Sequence, residues 1–456
     1  MGFPGVLLPQ LQQLGAAFTL TDDQVSWIAS VEMLPSFLGN CLVPILMARA
    51  GRRPAHFVTI AVTLLSWAIV ILANSFEMMI VGRILQGAAG GMMMPLRSVL
   101  VSEYCSPHHR GAFLTGVSLA QTAGVLLVHF LGSLITYRMT ALVSMSFSFI
   151  ALLVTVYSPE TPSWLAVNRQ YDKCRENFIW LRSDEEMPEL EKMILASKRL
   201  DEITKGRNML KEILDFAKRK ECYKPIVLMS AVYSMTNFTN TILIVVYPML
   251  ILKALMGTED YAPAWLLALD VQSIVFSCVS VYVTHKVRRR TLLLSSGSFT
   301  TGTQLALAVY IFAKNKDWLP FDSMWIPGAL LSAHTMSVYI GVLPLGSVIA
   351  GEVFPLQFRS YCESISLFSV YATAFIVLKT FLDLTSGAGV DVAFGVYSGA
   401  AALCLAAAAA LLPETRGRTL QQIEEHFRGA PLVDPEVDTK ETKPLNEFDE
   451  VDRQCV

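Results

Sequence analysis

The stretch LLPETRGRTL, residues 411–420, repeats the Pro-Glu-Thr of YSPETPSWL, residues 157–165, in the same setting. Each tripeptide ends a long apolar run and opens a charged, helix-prone segment. One shared tripeptide can arise by chance, so the surrounding pattern decides what it means. That pattern is a membrane pattern. Of 456 residues 53% are hydrophobic and 16% charged, at a mean hydropathy of +0.47, where a soluble domain carries roughly 25% charged residues.

The apolar residues gather into blocks of about 20, the length that crosses about 30 Å of hydrocarbon at 1.5 Å per residue. Blocks of this kind must be helices, because lipid satisfies no free backbone N–H or C=O. The sequence predicts eleven spans, at 24–48, 56–74, 78–102, 111–132, 139–157, 225–252, 262–284, 291–313, 323–350, 361–382 and 392–412. Ahead of them MGFPGVLLPQL is apolar but half a span long, without a basic n-region or cleavage site, so it is no signal peptide. It reads as the outer half of a first helix whose beginning is missing.

Charge distribution orients the spans. Arg49, Arg52 and Arg53, then His108, His109 and Arg110, then residues 169–224, then Lys286 and Arg288 to Arg290 fall in alternate connections. The intervening connections carry Asp22, Asp23, Glu77, Glu259, Asp260, Asp383 and Asp391. The positive-inside rule makes the first set cytoplasmic, together with the C-terminus. Between Trp164 and Lys224 the rhythm breaks, and Trp180, Leu181, Leu190, Ile194, Ile203, Leu210 and Ile213 form an amphipathic helical pattern. The expected organisation is a transmembrane bundle at 1–162, a cytoplasmic helical linker at 163–224, a second bundle at 225–415, a cytoplasmic helix at 416–428 and a disordered acidic tail at 429–456. The cysteines at 41, 105, 174, 222, 278, 362, 404 and 455 lack ligand spacing and read as buried free thiols, with no metal site.

Other signals recur with the tripeptide. GRRP at 51–54 closes the second helix and VRRRT at 287–291 the eighth. Glu103 stands seven residues before Arg110, and Glu352 seven before Arg359. Pro-Glu-Thr then follows Glu103 by 56 residues and Glu352 by 61. Three features in one order describe two six-helix halves that face the same way, a parallel repeat about an axis along the membrane normal.

This all-α arrangement of two pseudo-symmetric six-helix bundles, with a helical segment between them, is that of the major facilitator fold. GRILQGAAGG from 82, EYCSPHHRGAF from 103, PETPSWL from 159, WLR at 180–182, GEVFPLQFRS from 351 and PETRGRTLQQIEEHF from 413 resemble the signature motifs of its sugar porter family, the insect facilitative trehalose carriers especially. The resemblance runs from about Gly2 to Phe427. It implies a carrier for a sugar such as trehalose or a hexose, monomeric, multi-pass in the plasma membrane, working by alternating access without cofactor or metal.

The resemblance assigns a cytoplasmic gate to Arg52, Arg83, Glu103, Arg110 and Glu160 in the first half, with Arg289, Glu352, Arg359, Glu414 and Arg416 in the second. Such charges pair across the bundles when that side closes and part when it opens. Each pair near water contributes about 0.2–1 kcal/mol, so several together bias an equilibrium of a few kcal/mol. The plainer reading is that they are interfacial anchors. The chain also departs from the family: Ala48 stands where an Asp is usual, His285 and Arg288 replace an Asp and a Gly in the second half, and Ser163 replaces an Arg.

For the solute, the family supplies amides and aromatic rings. Alignment outward from the motifs puts Ser118, Ser234, Met235, Asn240, Ser347, Val370 and Tyr371 at those places, with Gln121 or Gln272 reachable by a slip of one or two residues. Losing several amides removes hydrogen bonds of on the order of 1 kcal/mol each, so the pocket supports sugar less firmly than the fold does. Charges also stand inside the spans: Glu32, Asp270 and Lys379, with Arg97, Glu363, His129 and His334. Such groups mark function by default, although helix-end snorkelling or a hydrogen-bonded packing role is the ordinary alternative. They suit a second reading, a carrier of the same fold for a non-sugar solute, with or without proton coupling. A third is a membrane sensor that transports nothing. Phosphate loops, HExxH, GxSxG and paired-carboxylate motifs are absent, so an enzyme is not expected, nor does anything point to nucleic acid.

Overall fold

The computed structural model describes residues 2–12, 20–106, 110–182, 187, 190–191, 193–195, 220–256, 261–318, 323–355, 359–416 and 420–428. Regular structure among them is helical throughout. The first half comprises α1 (Phe3–Leu11), α2 (Asp22–Ser30), α3 (Met33–Ala50), α4 (Arg52–Leu72), α5 (Phe76–Tyr104), α6 (Arg110–Leu134) and α7 (Tyr137–Tyr157). Two short helices follow, α8 (Pro162–Val167) and α9 (Tyr171–Leu181). The second half holds α10 (Lys220–Phe238), α11 (Thr241–Val246), α12 (Pro248–Met256), α13 (Ala262–Lys286), α14 (Arg289–Asn315), α15 (Trp325–Ser337), a π turn (Val338–Val342), α16 (Leu343–Val353), α17 (Arg359–Ala388) and α18 (Val390–Leu411). Helix α19 (Leu420–Arg428) ends the described chain, and the tail expected at 429–456 lies outside the described residues.

Nine described helical stretches are long and apolar enough to span a membrane. The other two expected spans are present with reasons for falling short. Helix α14 carries Arg289, Arg290 and Lys314 and turns Ser296, Thr300, Thr303 and Gln304 inward. The span expected at 225–252 is broken into α10, α11 and α12, first at Asn240, which has φ 59, and again before Pro248. Proline offers no N–H to the preceding turn, and a left-handed residue ends the helical ladder.

In each half the helix after the basic turn packs on equivalent neighbours, α4 on α5 and α7, and α14 on α15 and α18. The halves meet along two seams, α6 against α13 and α17 against α2 and α3, while α1 touches α11 and α12. The largest apolar cluster joins both halves at the end away from the arginine-bearing turns, with Phe3, Leu7, Ile28, Met79, Leu243, Leu255, Leu378 and Phe381 within it. Toward the arginine-bearing end the clusters separate. Val43, Met47, Ala55 and Leu96 pack in the first half, whereas Leu228, Leu293, Ile349, Phe354 and Ile423 pack in the second.

The linker helices form a small core of Leu165, Ala166, Cys174, Phe178, Leu190 and Ile194. Trp180, expected on the inward face, is instead exposed, because α9 buries Cys174 and Phe178 one turn apart and a residue two further on points away. Ile203, Leu210 and Ile213 lie outside the described residues. Of the described cysteines, all free, Cys174, Cys222 and Cys362 are buried as expected, but Cys41 and Cys278 lie exposed on helix faces of hydrophobic spans.

The glycines of GRILQGAAGG explain how α5 presses onto its neighbours. A Cβ at Gly87 would stand 2.1 Å from the Glu32 carbonyl oxygen, and one at Gly91 would stand 1.9 Å from that of Ser36. The Ser36 hydroxyl donates to the Gly87 carbonyl at 3.0 Å across this contact. Small residues are what permit such backbone approach in a membrane, where lipid tails supply no drive to squeeze helices together. Gly90 faces open space, with nothing within 4 Å of an added Cβ. Gly91→Ala is therefore expected to destabilise by about 1–3 kcal/mol through overpacking, and Gly90→Ala to leave stability unchanged or raise it, as read by thermal unfolding in detergent; equal melting temperatures would contradict the packing account.

Candidate functional site

At the arginine-bearing end of the first half three helix ends converge on one carboxylate. Glu160 accepts the backbone N–H of Arg52 at 2.9 Å, of Arg53 at 3.2 Å and of Thr161 at 2.9 Å, so it sits on the positive N-terminus of α4. Gly51 makes room for it. Its φ is 107, and a Cβ there would lie 2.2 Å from the Glu160 carboxylate. The Arg52 guanidinium then forks onto both oxygens of Glu103, at 3.0 and 2.8 Å. Arg53 reaches the Val156 carbonyl at 2.5 Å.

The second half repeats this triangle. Glu414 accepts the N–H of Arg289 at 3.0 Å and of Arg416 at 3.0 Å, and Arg289 pairs with Glu352 at 3.2 Å. Thr415 donates to the other oxygen of Glu352 at 2.6 Å, and Arg290 reaches the Ala409 carbonyl at 3.0 Å. Arg416 also donates to the Lys286 carbonyl. The replacement of glycine by Arg288 is tolerated because this cap is extended, with φ −64 and ψ 136, where a side chain costs nothing.

Each of these bonds runs within one half, whereas the sequence led to pairing between bundles. Such internal triangles brace the helix ends of each half against one another. Arg83 does not join them. It is buried at 2% exposure and pairs with Glu32 at 2.5 Å, while bonding the Ile28 carbonyl at 3.0 Å and Gln86 at 2.7 Å. The reason is depth, since Arg83 stands 20 residues before Glu103 on the same helix, about 30 Å along its axis. The side chains of Arg110 and Arg359 lie outside the described residues.

The solute candidates scatter. Gln121 is exposed and accepts from Arg97 at 2.7 Å, and Arg97 is within electrostatic reach of Tyr371 on the other half. Tyr371 is buried at 8%, and its hydroxyl finds no hydrogen-bond partner among the described residues. Ser118 and Ser347 are exposed, the latter donating to the Pro344 carbonyl, and Ser234 is half-buried. Met235 and Asn240 are fully buried, so neither faces open space. Asn240 serves the break in the α10–α11 line as its left-handed residue, with its amide unpartnered among the described residues. Gln272 is half-buried and donates to the Ser332 carbonyl.

None of those candidates lines either of two cavities among the described residues. A small one of about 20 Å³ has Asp270, His334 and Tyr339 among its walls. A large one of about 640 Å³ lies between the halves at the end away from the arginines, walled by Gln10, His129, Ser133, Tyr247, Lys253 and Leu382 among others. Its size lies within the range that holds a small organic solute.

The intramembrane charges all have partners. Beside Glu32 on Arg83, Asp270 bonds His129 at 2.6 Å and Lys379 bonds Asp23. His334 and Gln304 are packing residues with a specific task that sequence alone did not suggest. His334 binds the Thr239 carbonyl at 2.9 Å and Gln304 donates to the Phe238 carbonyl at 3.0 Å, so they cap the carbonyls freed at the break. The amide of Asn237, first residue of a glycosylation-like NFT, is spent on the Val370 carbonyl and Thr373. The only sequence signal for these roles was a polar residue in an apolar run.

Arg83→Leu leaves Glu32 charged and unpaired in the interior, which costs about 3–5 kcal/mol. The variant is expected to melt many degrees lower than the double variant Arg83→Leu/Glu32→Leu, in which no charge is stranded. Equal melting of the two would show that the pair is not a buried couple.

Comparison with known proteins gives one answer over most of this chain. Residues 9–427 match the family described as "Sugar (and other) transporter". The facilitated trehalose transporter Tret1 of Apis mellifera ligustica is 25% identical over 420 residues, spanning 91% of this chain and 82% of that protein. The facilitated glucose transporter member 8 of solute carrier family 2 from Mus musculus is 25% identical over 449 residues, 94% of this chain and 91% of its own. The solved structure of the proton:xylose symporter XylE bound to 6-bromo-6-deoxy-D-glucose, a major facilitator superfamily protein, superposes with a TM-score of 0.73 at 15% identity, over 93% of this chain and 95% of that one. With two duplicated bundles of spanning helices in the major facilitator fold and a family match over residues 9–427, the chain belongs to the family of sugar (and other) transporters.

Proposed function

We propose that this integral membrane carrier moves a sugar, trehalose or a hexose, down its gradient by alternating access. The observation that carries the proposal is the paired design of the two halves. Each is braced at one end by its own Glu-Arg-Glu triangle, and the two are joined by a common apolar core at the other. Two rigid bodies joined at one end and separate at the other have the form of one state of a rocking carrier. The large cavity between the halves, about 640 Å³, is ample for a mono- or disaccharide.

In this reading the arginine-bearing end is cytoplasmic, as the clustering of basic residues in those turns supports, and so is the C-terminus. The bundles run over 1–162 and 225–415, with 163–224 and 416–428 as cytoplasmic helical pieces and 429–456 as a tail. The carrier is a monomer in the lipid of the plasma membrane. In its opposite state Arg110 and Arg359 approach the carboxylates of the other half.

A second reading, transport of a non-sugar solute, is favoured by one observation. Of the polar side chains around the large cavity, Gln10 is committed to the Gly132 and Ile135 carbonyls and the Tyr137 N–H and Ser133 to the Phe130 carbonyl, and the wall carries two basic residues, His129 and Lys253, beside one further amide, Gln12. Purified protein in liposomes separates the two. Saturable uptake of labelled trehalose or glucose, equal in both directions and indifferent to a pH gradient, is the expected result. Absence of sugar flux alongside pH-driven flux of a basic or acidic solute would replace the sugar reading with the second.

A further inference from the structure

The seams between the halves each contain a base of one half set against an acid of the other. On the α6–α13 seam, His129 Nδ1 lies 2.6 Å from Asp270 Oδ2, and both residues are buried, at 2% and 8% exposure. On the α17–α2 seam, Lys379 Nζ bonds the Asp23 carboxylate and the Ser26 hydroxyl, the latter at 2.8 Å, and stands 4.8 Å from the centre of the Trp27 ring. Neither pair belongs to the repeated motifs, yet the internal duplication relates them. His129 follows Arg110 by 19 residues and Lys379 follows Arg359 by 20. The two bases therefore sit at matching heights on matching helices, α6 and α17.

Their height is informative. Asp23 is in the first turn of α2, and Asp270 is eight residues from the start of α13, about 12 Å in from the end away from the arginines. The large cavity lies between the two seams at this level, with His129 and Leu266 on one side and Val25 and Leu382 on the other. Around it the halves share one apolar core. The Asp23 side chain is 68% exposed and that of Lys379 19%, whereas those of His129 and Asp270 are at 0% and 12%.

We propose that these two related pairs are the latches of the gate opposite the arginine triangles, made while that end is shut and broken together when the halves rock apart. The inference rests on the alternating-access reading but not on the identity of the solute. A hydrogen bond of 2.6 Å does not survive a separation of several ångströms, so opening that end must break the His129 contact. Once apart, the four side chains gain water, and the free-energy difference between the two states contains the difference between the paired and the hydrated groups. The pairs thus set the resting population of the two states, the buried one more strongly than the exposed one.

Hydrogen–deuterium exchange of the full chain in lipid nanodiscs, with no solute added, tests this. His129→Leu, which strands the Asp270 carboxylate, is expected to raise exchange in peptides covering 3–11 and 241–256 on the order of tenfold. Lys379→Met should raise it about two- to fivefold. Rocking demands a reciprocal change, so peptides from the start of α4 and from α19 should slow in the same variants. The swaps His129→Asp/Asp270→His and Lys379→Asp/Asp23→Lys should return the wild-type pattern at both ends. Unchanged exchange in both single variants, a rise without the reciprocal slowing, or swaps that behave like their single variants would each overturn the proposal. A single variant that does not fold is read from its swap, where recovery of fold and pattern supports the latch and failure of both counts against it. Because no solute enters the measurement, failed sugar uptake alongside the reciprocal pattern would remove the cargo reading and leave the latches standing.

Discussion

A carboxylate lying over the N-terminus of a helix is the contact on which the rest of this molecule depends. Glu160 satisfies the first N–H groups of α4, and Glu414 that of Arg289 at the start of α14. In doing so each ties the last helix of its half to the helix that follows the basic turn. The arginine of that turn is then aimed at a third helix end, Glu103 or Glu352. Three helices fixed at one end cannot shear past one another, so each half moves as a body. Alternating access needs that rigidity before it needs any gate.

The fold was legible from the sequence because lipid imposes its demands on composition. Blocks of about 20 apolar residues, alternating charge in the connections and a repeated spacing of Glu, Arg and Pro-Glu-Thr carry the number of helices, the duplication and the motif residues. What the sequence did not carry was partnership. The resemblance sets Arg83 in one gate with Arg52 and Glu103, yet it lies about 30 Å from Glu103 along α5 and answers Glu32. Asp270 and Lys379 were legible as costly charges, but their partners lie 141 and 356 residues away in the chain, where no local pattern reaches. The triangles, too, close within each half because the Pro-Glu-Thr turn brings its glutamate back to the span three positions earlier in its own bundle.

The solute site was the least legible part, and for a related reason. Candidates were placed by alignment along single helices, and burial depends on how each helix is turned and where it breaks. Met235 falls on the side of α10 that faces Gly297 of α14 and Asn240 stands at the break after α10, and both are fully buried. Ser118 and Gln121 sit on exposed faces of α6, and Tyr371 is placed between the halves near Arg97. The large cavity is walled instead by α1, α6, α11, α12 and α13, whose polar members drew little notice in a linear reading.

The break at Asn240 has a consequence for how the second half deforms. His334 and Gln304 grip the carbonyls of Thr239 and Phe238, on the α10 side of the break, from helices that belong to the rigid body. Helix α10 is thereby clamped up to its last turn, and the left-handed residue that follows is the swivel. Helices α11 and α12, which touch α1 from the second half, form a short flap of 16 residues beyond that hinge. Because the clamp already occupies the exposed carbonyls, the flap can turn without presenting an unpaired backbone group to lipid. The wall facing α1 is in effect a door with its hinge pins buried in the frame.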